Sequence, residues 1–229
     1  MPLDSFANLQ RSVMDWLARP DDPLISGAIP DMILMFEEEA RDRLKTRFNE
    51  QSTTIIPPPN TAIVPLPSDF AELRELYVST SYGNVHYTYQ TPVNMDTNLY
   101  RGIYPYGYNS SGIWTSPDYP NAAYTIEGLN LRMLTQTGPN DPQTPINIVY
   151  MSGLMGLSDA VTSNWLLQQY PSLYLFGTLT MAEPYIGDDP RFQIWGAQRE
   201  ATFERIRLAD RKARFSGGPL VIQTDVRNP

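Results

Sequence analysis

From about Thr53 to Met151 the chain is dense in turn residues and alternates apolar and polar side chains over short runs, while the segments on either side carry helical spacing. Prolines 57, 58, 59, 65 and 67 remove backbone donors and exclude a long helix at the start of this interior stretch. Its clearest strands are Tyr124-Thr125-Ile126, then Leu129-Asn130-Leu131 after a turn at Glu127-Gly128, and Ile146 to Tyr150, in which Ile146, Ile148 and Tyr150 share one face. A small antiparallel sandwich or barrel is expected. One short helix, Ser68 to about Leu76, is expected to interrupt it, with Ser68 or Asp69 as cap and Phe70, Leu73 and Leu76 turned inward.

Upstream, Asp4 or Ser5 can cap a helix in which Phe6, Leu9, Val13 and Trp16 recur at spacings of three or four, closed by Pro20. A second helix is expected to open near Pro30, with Asp31 in favourable dipole position and Ile33, Phe36 or Glu37, Ala40, Leu44 and Phe48 on its inner face. Downstream, Ser158 can cap a segment running through Val161, Trp165 and Leu166 that stops near Tyr170, because Pro171 follows. A further helix begins at Pro171, with Leu173, Phe176 and Thr180 on one side and Gly177 placed for close approach of another helix backbone; Pro184 kinks or ends it. Gly187-Asp188-Asp189-Pro190, with Asp189 as cap, opens a long helix from about Arg191 to Arg214, and Phe192, Trp195, Thr202, Ile206, Ala209 and Ala213 fall near one stripe.

Ser216-Gly217-Gly218-Pro219 breaks that helix and releases Leu220 to Val226, a segment of strand composition. Residues 216–229 extend to at most roughly 45 Å, against a radius of gyration of roughly 17 Å for a compact chain of this length. The tail can therefore reach a neighbour and add a strand to a partner's sheet edge. An edge strand on its own sheet or a frayed terminus fits the same residues.

With 229 residues, 41% of them hydrophobic and 18% charged, the chain is expected to fold as one interrupted globular domain. The absence of cysteine excludes disulfide staples, thiolate nucleophiles and cysteine-ligated zinc. A net charge of -8 argues against gripping nucleic acid by phosphate neutralisation, although an acidic wall can surround DNA without holding it. No apolar run approaches the roughly 20 residues of a membrane span, and Met1-Pro2-Leu3-Asp4 lacks the regions of a secretory signal, so a soluble, unsecreted protein is expected.

The chemistry-bearing residues form no reactive constellation. His86 is the only histidine, no Gly-x-Ser-x-Gly elbow accompanies it, and its neighbours Tyr82, Tyr87 and Tyr89 point to a packed or interface ring. Glu37-Glu38-Glu39 occupy consecutive helical positions that point different ways, so a solvated face is expected of them. Capping accounts for Asp189, neither phosphate-binding glycine motif is present, and the formal glycosylation sequon Asn109-Ser110-Ser111 is expected in a loop. No catalytic residue, cofactor or metal is expected.

Two features suggest contact surfaces. Nine of the fourteen tyrosines lie between Tyr82 and Tyr124 among Pro, Gly, Asn and Ser, a composition suited to protein interfaces or to stacking on sugars. Tyr87, Tyr89, Tyr100, Tyr104, Tyr106 and Tyr108 are the candidates; a polar loop whose rings cover its own sheet is the plainer reading. Second, Arg199, Arg205, Arg207, Arg211, Lys212 and Arg214 outnumber Glu200, Glu204 and Asp210 just before the tail. They complement the helix C-terminus and pair with those acids, or they orient this end toward an acidic partner.

The stretch Asn164-Trp165-Leu166-Leu167-Gln168-Gln169-Tyr170-Pro171-Ser172-Leu173-Tyr174-Leu175-Phe176-Gly177 resembles the signature of phage head-to-tail adaptor proteins. Asp188-Asp189-Pro190-Arg191 and Trp195 ahead of a long charged helix, Leu66-Pro67-Ser68-Asp69-Phe70, and the Tyr124-Thr125-Ile126-Glu127-Gly128 strand are similar to the same family, in the same order. The Tyr82 to Asn121 insert is longer than its counterparts there.

The resemblance implies an α+β fold: a helical bundle from residues 1–52 and 152–215, an inserted antiparallel β domain over 53–151, and an extended tail over 216–229. It also implies a dodecameric ring of identical copies under the portal protein, a tail or nozzle protein below, and genomic DNA passing through without specific binding, in the virion neck after assembly in the host cytoplasm. Portal docking would fall to Arg205, Arg211, Lys212, Arg214, Leu220, Val221, Ile222, Thr224 and Val226, and no membrane is involved. The competing class is a carbohydrate-binding or hydrolytic phage tail module, which the tyrosines and scattered acids would serve. An unrelated bacterial scaffold of the same architecture is a third reading.

Overall fold

The computed structural model describes residues 3–58, 61–80, 83–100, 123–133, 145–187 and 189–214, without the side chains of Thr80 and residues 97–100. The protein is α+β and divides into two compact units, Met1–Phe48 with Leu154–Pro229, and Asn49–Gly153.

The helical unit contains α1 (Phe6–Leu17), α2 (Pro23–Arg43), α4 (Trp165–Gln169), α5 (Pro171–Met181), α6 (Glu183–Ile186) and α7 (Arg191–Arg214), with α3 (Pro92–Tyr100) belonging to the other unit. α5 carries no charged side chain, and Leu173, Tyr174, Leu175, Gly177, Thr178 and Leu179 are all buried, as a helix apolar on every side requires. α1, α2, α4 and α7 pack against it. The inward side expected from Leu173, Phe176 and Thr180 is too narrow, since the last two are only partly covered. Gly177 permits a close approach, but of the Phe36 ring of α2: a Cβ at 177 would overlap that ring. That ring also packs edge-on against Tyr174 at 5.2 Å between centroids.

α2 begins about two turns earlier than expected. Asp22 caps it, its carboxylate accepting from the N–H groups of Leu24 and Ile25, and Pro23 takes the first helical position. Pro30 lies inside the helix on the exposed side, and the residue before it, Ile29, is fully buried and has no oxygen with which to cap. α1 buries Phe6, Leu9, Val13 and Leu17; Trp16 is 46% exposed, and the helix ends at Ala18 in the left-handed conformation (φ 56°), two residues before Pro20. Ser158 closes a turn with Val161, whereas Asn164 caps α4 by accepting from the Leu167 N–H. Along α7, Phe192, Trp195, Thr202, Phe203 and Ile206 are buried, but Ala209 and Ala213 are exposed, so the core stripe ends two turns before the helix does.

The β unit is a sandwich of two four-stranded sheets. β1 (Glu50–Ile55), β8 (Ile146–Ser152), β3 (Phe70–Thr80) and β4 (Gly83–His86) form one in that order; β2 (Ile63–Pro65), β7 (Asn130–Met133), β6 (Ala123–Glu127) and β5 (Thr88–Tyr89) form the other. Val64, Leu131 and Met133 from the second sheet meet Leu76, Val78, Ile146, Ile148 and Tyr150 from the first in one core. Described pairs are antiparallel except β5 with β6, which is parallel, a departure from the expected wholly antiparallel domain. The turn before β7 is centred one residue later than expected, on Gly128 (φ 62°) and Leu129, which stands exposed at its tip.

The helix expected at Ser68 to Leu76 is strand β3. Its spacing of three between Phe70, Leu73 and Leu76 comes from two irregularities in the pairing with β8, between Phe70 and Glu72 and between Leu73 and Glu75. Each adds a residue on β3, so Phe70, Leu73 and Leu76 stand opposite Ser152, Tyr150 and Ile148, every second residue of β8. A bulged strand thus imitates helical periodicity in the sequence.

Substituting Gly177→Ala is expected to lower the unfolding free energy by about 1–3 kcal/mol through overpacking, read as a fall in the urea midpoint. Adding Phe36→Leu in the same chain should recover part of that loss, and an unchanged midpoint for Gly177→Ala alone would rule out the contact as described.

Candidate functional site

The cations expected to form one patch at the end of α7 are divided by the helix between two faces. Arg207, Arg211 and Arg214 line a cleft of about 360 Å³, opposite Asp42, Lys45 and Thr46 from the end of α2 and the turn after it. Arg205 and Lys212 lie about 100° or more around the helix from Arg211 and Arg214, at 100° per residue, and both are exposed.

Polar ties hold the cleft in shape where the core has run out. The Asp210 carboxylate accepts from the Arg47 N–H at 2.9 Å and from the Arg214 guanidinium at 2.7 Å. Arg207 pairs with Glu204 within its own helix. Arg205, Arg211 and Lys212 have no ion-pair partner among the described residues. Arg199, grouped with them by sequence, belongs to a different structure: it bridges Glu39 and Glu200. Arg43 joins the same pair of acids and lies 3.8 Å over the Phe203 ring, fastening α2 to α7. Arg43 beside it holds the Glu200 carboxyl well below the usual range, at about 2, and the Arg43 guanidinium is raised in turn.

The three consecutive glutamates do not form a solvated face. Only Glu38 is exposed; Glu39 is half-buried in the arginine pairs, and Glu37 is buried in the helical core. Its Oε1 accepts from the Leu157 N–H at 2.8 Å and the Tyr174 hydroxyl at 2.9 Å. The Tyr174 hydroxyl accepts in turn from the Asn164 amide, which also donates to the Met155 carbonyl. Burial pushes the Glu37 carboxyl above the ordinary range, opposed in part by those two donors, and burial next to Glu37 raises Tyr174. Spacing carried the signal, since Glu37 falls in line with Ile33, Ala40 and Leu44 at steps of four, three and four.

His86 stands exposed on β4 with Nδ1 3.1 Å from Glu75 and its ring against Tyr77. Asp189 is occupied by Arg191, whose backbone and side chain both donate to it. No group of three or more metal-ligating residues lies together among the described residues, and none of the described helices is long and apolar enough to cross a membrane. Of the tyrosine candidates, Tyr87 is half-buried against the sandwich core, and Tyr89 is exposed with its ring edge-on to Tyr124. The Tyr100 side chain, Tyr104, Tyr106 and Tyr108, and the tail residues Leu220, Val221, Ile222, Thr224 and Val226 lie outside the described residues. Lys45 and Thr46, which line the cleft, escaped the sequence reading; the alternating Arg41, Arg43, Lys45 and Arg47 are the trace they leave.

The helical unit is discontinuous in sequence, with the β-sandwich inserted between its two parts and the charged end of α7 beside the cleft. The family model described as SU10 adaptor protein matches residues 4–223, and the chain belongs to that family, one of phage head–tail adaptors. No curated protein matches the chain.

Because the folded pKa of Glu37 lies above its unfolded value, the stability it contributes is fully present below about pH 4.3 and is lost as pH rises through the folded pKa. Glu37→Gln keeps an acceptor at Oε1 and removes the charge, so its denaturant midpoint should vary less between pH 4.3 and 7 than that of the parent. Glu37→Leu leaves the donors of the Leu157 N–H and the Tyr174 O–H without their acceptor and should cost about 1–3 kcal/mol at any pH. Equal pH profiles for Glu37→Gln and the parent would refute the assignment.

Proposed function

We propose that this protein is a non-enzymatic connector of the virion neck, assembling as a ring on the portal and joining the capsid to tail proteins around a channel for the genome. The family match over residues 4–223 carries the reading, because it spans both units and reaches into the tail. The geometry at the end of α7 supports it. The helix outruns its core by two turns, ends beside the cleft with Arg211 unpaired among the described residues, and leads directly into the tail.

On this reading Arg211 and Arg214 orient the helix end toward an acidic portal surface, and Leu220, Val221, Ile222, Thr224 and Val226 supply a strand-like segment with alternating side chains. A ring multiplies modest contacts of this kind through effective concentration. The net charge of -8 keeps the wall from holding the DNA backbone, so the genome passes without specific binding. Tyr89, with Tyr100, Tyr104, Tyr106 and Tyr108 of the insert, serves contacts to a neighbouring subunit or to the tail protein below; Tyr87 supports them from the sandwich.

Purified portal rings mixed with the full-length protein or with a version truncated after Arg214 test the reading by co-sedimentation. The full-length protein is expected in the pellet and the truncated one in the supernatant. Failure of both to sediment with the portal would count against the portal-docking role, and equal sedimentation would move docking away from the tail.

A further inference from the structure

α2 and α7 each turn a long stripe outward that the helical unit does not cover. On α2 it runs through Leu24, Asp31, Leu34, Met35 and Glu38, with Leu24 73%, Leu34 52% and Met35 40% exposed. On α7 it runs through Ile194, Ala201, Arg205, Leu208 and Lys212, with Ile194 62% and Leu208 51% exposed. At 100° per residue each set falls within about 100° of arc, a continuous face. On both helices the stripe is about 20–27 Å long at 1.5 Å per residue.

The charges on the two stripes are opposite and equally spaced. Asp31 and Glu38 are seven residues apart with Leu34 and Met35 between them; Arg205 and Lys212 are seven apart with Leu208 between them. None of these four charged groups has an ion-pair partner among the described residues, although most charged side chains nearby, Arg43, Arg199, Glu200 and Asp210 among them, do. The α7 stripe has no acid and the α2 stripe has no base between its two acids.

We infer that the occupant of each stripe is a second copy of this chain: the α7 face of one subunit packs on the α2 face of the next, Leu208 against Leu34 and Met35, with Arg205 and Lys212 against Asp31 and Glu38. The inference rests on the ring reading above and supplies its subunit contact. Two different patches that fit each other allow a head-to-tail interface, and repetition of a head-to-tail interface closes into a ring when the rotation allows it. Two identical acidic or basic faces would repel, which excludes a two-fold pairing of either stripe with itself. It also separates the cations of α7 by task, leaving Arg211 and Arg214 to the docking end.

The chain contains no cysteine, so single introduced thiols report contacts between chains without ambiguity. Leu34→Cys and Leu208→Cys are both exposed substitutions that leave the core untouched. Portal rings are loaded with either variant alone or with an equal mixture, treated with a short bismaleimide, and examined by electron microscopy and denaturing electrophoresis. The mixture is expected to give a crosslinked dimer that neither variant gives alone. Asp31→Lys with Glu38→Lys on the Leu34→Cys chain should reduce that yield by at least about tenfold, and Arg205→Glu with Lys212→Glu on the Leu208→Cys chain should restore it. Rings that form without the mixed crosslink, a crosslink from one variant alone, or Leu208→Cys captured by the portal chain or by the tail would overturn the inference while leaving the ring intact. Absence of rings would overturn the ring reading and the inference with it.

Discussion

α5 has no charged side chain and buries Leu173, Tyr174, Leu175, Gly177, Thr178 and Leu179, and everything else in the helical unit follows from covering it. The cover is drawn from both ends of the chain. α1 and α2 come from before the insert and α4 and α7 from after it, so the unit cannot form from either end alone. Gly177 sets how closely the two halves meet, since the Phe36 ring occupies the space its Cβ would take. An insert can interrupt such a unit only if its own ends emerge together, and the pairing of Glu50 with Met151 at the start of β1 and the end of β8 provides that. The first and last strands of the sandwich are neighbours in one sheet, and the residues between them can vary without disturbing α5.

Where local chemistry and packing agreed, the sequence was a sufficient guide. The alternation of β8, the start of α5 at Pro171 and the opening of α7 after Asp189 were all readable from spacing and caps, whereas on α1 the core takes Leu17 in place of the expected Trp16. Where two local signals competed, burial decided. Pro23 and Pro30 both suit a first helical turn, but Asp22 has a carboxylate to offer and Ile29 has a side chain the core takes in. β3 was illegible for a different reason. Two bulges convert its period from two to three, and nothing local distinguishes a bulged strand from one helical face. The site was less legible than the fold because adjacency along α7 groups cations that the helix then separates by a third of a turn or more.

Many of the ionisable groups among the described residues are taken up by one another. Arg43 and Arg199 neutralise Glu39 and Glu200, and Arg191 occupies Asp189. Among the described residues Glu37 is the one carboxylate deep in the helical core, with two donors and no ion-pair partner, and it ties the segment around Leu157 to α2 and α5. Its neighbours are a backbone N–H and a tyrosine held by Asn164, an arrangement that fixes a loop. The burial that raises its pKa is also what keeps it from solvent.

α7 is 24 residues long, about 36 Å, but its core contacts end at Ile206. Beyond that point the helix persists on the propensity of Arg, Leu, Ala and Lys, on basic side chains complementing its C-terminal dipole, and on the tie from Asp210 to Arg47 and Arg214. Each of these is worth a fraction of what a buried apolar side chain contributes. A helix end held this way keeps its shape in the isolated chain while leaving Leu208 and its neighbours uncovered, which a larger core would have buried. On the ring reading proposed above, the contacts of each copy are weak when single and strong when every subunit is held from two sides. On the same proposal, the two uncovered turns of α7 are where the fold provides that difference.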